Sequence, residues 1–239
     1  MSDKGLLAKA SFNEDEKVCD LTARKFFNVV KVDRWLTFTA VAVLLYIALY
    51  SVASRFNWEH DTKLISDHYY QVLYLIILGT FIYSLGNFNN TFSYWFILGM
   101  VIGGFGIAIL GQLPGFNFSF GSLASITGVP LITTLGIVAA VSYLAYLTWK
   151  KYKACNMQQM FWVFLGVPIA LIVIAFILAR VDSASVEIHL HHWQWALALV
   201  FFARYPGIPL QSFLAGLFVG IVIDGISRYG PDPLFEPIP

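Results

Sequence analysis

Apolar positions in this chain run in long unbroken blocks. They show neither the one-sided stripe of a soluble helix nor the alternation of a half-buried strand. Blocks free of Lys, Arg, Asp and Glu occupy Trp35–Ser54, Tyr69–Leu85, Thr91–Leu110, Ile126–Thr148 and Phe161–Ala179. A helix needs about 20 mainly apolar residues to cross about 30 Å of hydrocarbon, so each block predicts a membrane span. Pro130 and Pro168 fall near span ends or mark a local kink, which helices in lipid tolerate. Beyond Arg180 the pattern changes, because Trp193–Ala203 is too short to span. A helix begun at Glu187 and ended before Tyr205-Pro206-Gly207 reaches about 18 residues, or about 27 Å. It would carry Glu187, His189, His191 and His192 in the first turns of a sixth crossing, either full or re-entrant. Leu210–Ile226 supplies a seventh, with Asp224 near its end.

The expected architecture is therefore an all-α integral membrane protein, a bundle of six to seven transmembrane helices over residues 35–228. The spans fall at 35–54, 69–85, 91–110, 126–148, 161–179, 187–204 and 210–226. Ahead of it, Ser11-Phe12-Asn13-Glu14 fits a capping box. Cys19, Ala23, Phe26 and Val30 then recur at helical spacing, so residues 1–34 predict an amphipathic helix on the membrane surface or against another subunit. After it, residues 229–239 hold four prolines and predict an extended tail suited to packing along a neighbouring subunit.

Composition sharpens this picture by exclusion. The 239 residues are 58% hydrophobic and only 12% charged, against roughly 25% charged in ordinary globular chains. Mean hydropathy is +0.70. A net charge of +1 without a basic block argues against nucleic acid as a partner, and two cysteines argue against a disulfide-built module. Charge also predicts orientation. With the N-terminus inside, the inner segments hold Lys4, Lys9, Lys17, Arg24, Lys25, Lys31, Arg34, Lys150, Lys151, Lys153 and Arg204, and the outer ones hold Arg55, Lys63, Arg180 and Arg228. That imbalance places the N-terminus in the cytosol by the positive-inside tendency.

With this topology all five histidines gather at the extracytosolic face. His60 and His68 lie in the first outer segment beside Glu59, Asp61 and Asp67; His189, His191 and His192 open the sixth span. On a helix, His189 and His192 form an i, i+3 pair and Glu187 and His191 an i, i+4 pair. An extended segment would instead put Glu187, His189 and His191 on one face. The short link between spans six and seven makes a hairpin, which raises His192 and Asp224 to a similar depth. An intramembrane carboxylate is costly and takes a partner; the histidines and Arg228, one turn further on, are the candidates. Convergence of His68, Asp67, His189, His191 and His192, with Asp224 or Glu187 as ligand, orienter or general base, would suit a transition metal: zinc, copper or iron. His60 reads as a solvated loop residue.

Two function classes follow. One is a membrane metalloenzyme acting on a lipid-like or small apolar substrate. The other is a non-catalytic structural or accessory subunit of a larger membrane complex, its histidines and tryptophans forming an interfacial belt. A proton-coupled transporter is a weaker third, since no further charge continues a relay across the bilayer. No lysine lies in Leu210–Ile226, which excludes a retinal Schiff base. Gly99/Gly103 and Gly216/Gly220 have the spacing that lets helix backbones approach closely, within the chain or between copies.

Overall fold

The computed structural model describes residues 31–58, 60–61, 63–85, 88, 92–112, 186–188, 192–200, 209–230 and 235–237, together with scattered positions between 139 and 177. Most of these residues are helical, and two short strands pair in a ribbon. In chain order they form α1 (Val32–Arg55), α2 (Ile65–Leu85), α3 (Tyr94–Leu110), β1 (Val186–Ile188), α4 (His192–Val200), α5 (Pro209–Arg228) and β2 (Phe235–Pro237). Two of them, α1 and α5, are long and apolar enough to cross a membrane; α3 is apolar but shorter.

Contacts fix the relative directions. Trp35 Nε1 donates to Thr80 Oγ1 at 3.0 Å, and Tyr46 Oη donates to Gln71 Oε1 at 2.7 Å. Sequence therefore rises along α1 as it falls along α2, and the pair is antiparallel. The Phe38 ring meets Phe96 at 6.2 Å, whereas Leu49, further along α1, packs on Gly104. So α3 runs parallel to α1. Gly216 faces Phe96 and Gly220 faces Met100, which makes α5 parallel to α3. Trp193, at the start of α4, packs on Gly225 near the end of α5.

The contact between α3 and α5 is the most extensive among the described elements. It rests on absent side chains. A Cβ on Gly99 would strike the Phe213 carbonyl, one on Gly103 the Leu217 carbonyl, one on Gly216 the Phe96 carbonyl and one on Gly220 the Met100 carbonyl. The two glycine pairs thus face each other inside one chain, and backbone meets backbone along the seam. At the opposite end from His60 and His68, Phe38, Tyr83, Phe88 and Phe96 form a cluster of tilted and edge-on rings.

The core is mainly apolar, yet several polar residues share it while large apolar ones face outward. Asp224, Arg228, Ser227, Gln211 and Gln71 are buried, while Leu73, Ile77 and Phe81 of α2 are 43%, 63% and 56% exposed.

Helix ends explain where the sequence boundaries shift. α2 begins at Ile65, four residues before the apolar block, because Asp67 Oδ2 accepts the Leu64 amide at 2.7 Å and caps the first turn. α1 ends with Asn57 at φ 54°. The Trp58 amide returns to the Ala53 carbonyl at 2.9 Å there, the long-range bond of a left-handed helix terminus.

The sixth segment departs further from expectation. Glu187 does not open a helix. It lies in β1, which pairs antiparallel with β2 in the register Val186↔Pro237, Glu187↔Glu236 and Ile188↔Phe235. An apolar–acidic–apolar triplet with β-branched flanks fits a strand at least as well as a helix start, and the proline-rich tail supplies its partner. Helix α4 starts only at His192. Glu187 is therefore not the first residue of a helix, and apart from this three-residue ribbon the described architecture is all-helical. His189, His191, the surface helix expected before Lys31 and most of the spans 126–148 and 161–179 lie outside the described residues.

Candidate functional site at the histidine end of the bundle

The last turn of α5 organises the polar end of the molecule. A helix C-terminus leaves carbonyls without intrahelical partners and carries partial negative charge. Lys63, from the segment between α1 and α2, meets this demand. Its Nζ donates to the Ser227 carbonyl at 2.5 Å and to the Ile226 carbonyl at 3.3 Å. The Asp61 amide donates to the Arg228 carbonyl at 3.0 Å. The segment carrying His60 is thereby fastened to the end of α5.

Asp224 and Arg228 are i, i+4 neighbours on α5, and both are buried. Arg228 Nη2 donates to Asp224 Oδ2 at 2.6 Å and Nε to Oδ1 at 3.0 Å. This fork reaches both carboxylate oxygens, so the arginine is one partner that the structure gives Asp224. A bidentate pair also offsets the desolvation that a single buried charge would suffer.

A chain of hydrogen bonds ties α1, α2 and α5 beside this pair. Lys63 Nζ donates to Gln71 Oε1 at 2.8 Å. An ammonium only donates, so that atom of Gln71 is the carbonyl oxygen. Tyr46 Oη therefore spends its one proton on the same oxygen, at 2.7 Å. The Tyr46 oxygen also lies 2.9 Å from His68 Nδ1. Having given its proton away it can only accept, so neutral His68 carries its hydrogen on Nδ1 and its lone pair on Nε2. His60 resolves in the same way. Its Nδ1 lies 2.6 Å from the Trp58 carbonyl, which only accepts, so Nδ1 donates and Nε2 again holds the lone pair.

Tyr50, one turn after Tyr46 on α1, sits between the two imidazoles. Its ring meets His68 edge-on at 4.4 Å and His60 edge-on at 5.5 Å, and Lys63 Nζ stands 5.4 Å from it. Burial and then the Lys63 charge push the His68 pKa below 6.5, against a smaller upward pull from Asp67. The neutral, lone-pair-bearing imidazole is thus favoured near pH 7.

Of the residues singled out from sequence, the structure brings His68, Asp224 and the start of α4 to one end of the bundle. His68 binds Tyr46, Asp224 binds Arg228, and Asp67 accepts the Leu64 amide. His192 opens α4, directly before Trp193 on Gly225. Among the described residues, no three His, Cys, Asp or Glu side chains stand together so as to hold one ion. Sequence reasoning missed Tyr46, Tyr50, Lys63 and Gln71. A signal existed: Gln71 is the only side-chain amide in the block Tyr69–Leu85, and Tyr46 and Tyr50 are one turn apart in an otherwise apolar stretch. No protein-family model, curated protein or solved structure matches the chain.

Proposed function

We propose that this chain is a multi-pass membrane protein of six to seven spans with a cytosolic N-terminus, and that it binds a transition metal at its extracytosolic face. The ligands are His68 together with histidines of the 189–192 segment. Zinc, copper and iron all accept imidazole nitrogen. A lipid-like or small apolar substrate is the class such a site would meet. Parallel α1, α3 and α5, with α2 antiparallel, support this reading because crossings one, three and seven of a seven-span chain run the same way. The observation that carries it is the hydrogen bond from His68 Nδ1 to Tyr46 Oη. Metal-binding histidines almost always donate their other ring N–H to an oxygen, which fixes the tautomer and aims the ligand.

Elemental analysis of the detergent-purified protein tests this, set beside a His189→Ala/His192→Ala double variant. Near-stoichiometric metal that disappears in the variant is the expected result. A metal-free wild type, purified without chelators, would overturn the metal site and leave the chain as a structural or accessory subunit of a membrane complex.

A further inference from the structure

Trp193 carries a hydrogen-bond donor that the chain buries and does not use. The residue is 5% exposed and belongs to the main apolar cluster of the bundle. Its Nε1 is buried with no hydrogen-bond partner among the described residues. An indole N–H can only donate, and a buried donor left unmade costs its full desolvation. The seat of the ring is nevertheless closely shaped. Cβ, Cγ and Cδ1 of Trp193 lie on Gly225, where a side chain would meet all three at 2.5–2.7 Å. Nε1 is bonded to Cδ1, so the N–H edge of the ring lies beside the last turns of α5.

The acceptors of those turns are taken. The carbonyl of Asp224 accepts Ser227 Oγ, that of Gly225 the Tyr229 amide and that of Ile226 the Gly230 amide. Those of Ser227 and Arg228 accept Lys63 Nζ and the Asp61 amide, and Arg228 forks onto the Asp224 carboxylate. Donors, by contrast, gather here. β1 ends at Ile188 and α4 runs from His192, so Trp193 lies close behind a helix start. First-turn amides have no intrahelical acceptor, and a helical side chain leans over the turn that precedes it. The indole therefore covers the start of α4, and its N–H and those amides serve the same place. A water would bring hydrogens of its own to a spot whose acceptors are engaged. An oxygen that only accepts, carried on an apolar body, suits both the donors and the apolar cluster around them.

We propose that Trp193 and the start of α4 bind the acyl carbonyl of a lipid-like ligand, a fatty acid or its ester, with the indole N–H donating to that oxygen and Gly225 seating the ring. The inference rests on the lipid-like substrate read above and names the group by which it is held.

The test uses the full chain in a maltoside detergent, which has no carbonyl, with the tryptophan indoles isotopically labelled for NMR. The Trp193 signal is assigned by its loss in Trp193→Phe, or in Trp193→Leu where the first variant does not fold. Methyl oleate and oleate are the probes, and octadecene is the chain without oxygen. An acyl probe is expected to move the Trp193 indole proton downfield and to saturate, and the probe acting at lower concentration tells ester from free acid. Octadecene is expected to leave the signal in place. Trp193→Phe is expected to weaken binding of the better probe about three- to tenfold, the worth of one neutral hydrogen bond. Unchanged circular dichroism and unchanged signals from the other indoles separate that loss from misfolding. A Trp193 proton that ignores both acyl probes, or that moves equally with octadecene, would overturn this proposal and leave the metal reading to its own elemental analysis. A metal-free wild type whose Trp193 proton responds to an acyl probe alone would overturn the metal site and uphold the acyl site.

Discussion

Asp224 and Arg228 show how a single pair can dominate the local energetics of a helix. Each is stabilised in the interior by the other, and removing one takes away the charge that forks onto its partner. Asp224→Ala is expected to cost about 3–5 kcal/mol, whereas joint replacement by Leu and Met should recover most of that loss. Thermal melting in detergent reads the difference; equal destabilisation by the single and double variants would show that the pair is not the stabilising unit. His68 gives a pH-dependent counterpart. Its folded pKa lies below the 6.5 of the free side chain, so folding favours the neutral ring. That contribution is complete above about pH 6.5, where both states are neutral. It is lost as pH falls through the depressed folded value, because the unfolded chain takes up the proton more readily. Melting temperature should therefore decline as pH falls below 6.5, and His68→Asn should flatten part of that decline. An unchanged slope in the variant would assign the decline to other groups.

At the scale of elements, the α3–α5 seam separates two kinds of glycine. Gly103 has the Leu217 backbone where a side chain would begin, while Gly106, less than one turn later, has nothing within 4 Å. Gly103→Ala should force the helices apart and cost at least the 1–3 kcal/mol or so of ordinary overpacking, because a carbonyl cannot rotate away as a side chain can. Gly106→Ala should be neutral or stabilise by up to about 1 kcal/mol through helix propensity. Equal effects at the two positions would mean that the seam is looser than described. Much of this was legible in the sequence. The blocks at 35–54 and 210–226 became α1 and α5 within a few residues, since an unbroken apolar run of that length has few alternatives. The small-residue spacing marked the seam but could not name its partner, which depends on contact between residues more than a hundred positions apart. At Glu187 the choice between helix and extended chain stays open in the sequence for a related reason: Val186-Glu187-Ile188 is too short for periodicity to decide, and pairing with the tail strand at Phe235–Pro237 selects the extended form. The histidine end was visible as composition. Its wiring through Lys63, Gln71 and Tyr46 was not, because those bonds join three separate elements.

For the whole molecule the decisive contrast lies between what is buried and what is exposed. Leu73, Ile77 and Phe81 stand one turn apart along α2 and all face outward, and Leu36, Leu44 and Ile47 of α1 are exposed as well. In water such stripes would form an apolar patch of the kind that drives association. In hydrocarbon they cost nothing, and the buried Asp224–Arg228 pair and Gln71 then occupy the interior where intramembrane polar groups are found. A bundle placed in a bilayer this way has its ends on opposite sides, and the helix directions say which residues share a side. Asp61 follows α1 and Gln112 follows α3; both are exposed, and α1 and α3 are parallel. The two positions should therefore open to the same compartment, and residues before Val32 to the other. In a chain with Cys19 and Cys155 replaced by serine, single cysteines at Asp61 and Gln112 are expected to react with an impermeant maleimide from outside intact cells. A cysteine at Ser2 should react only after permeabilisation. Reaction of the Asp61 and Gln112 positions from opposite sides would contradict the parallel packing of α1 and α3. Reaction of all three without permeabilisation would remove the membrane from the account, and the exposed stripes of α1 and α2 would then have to be covered by protein.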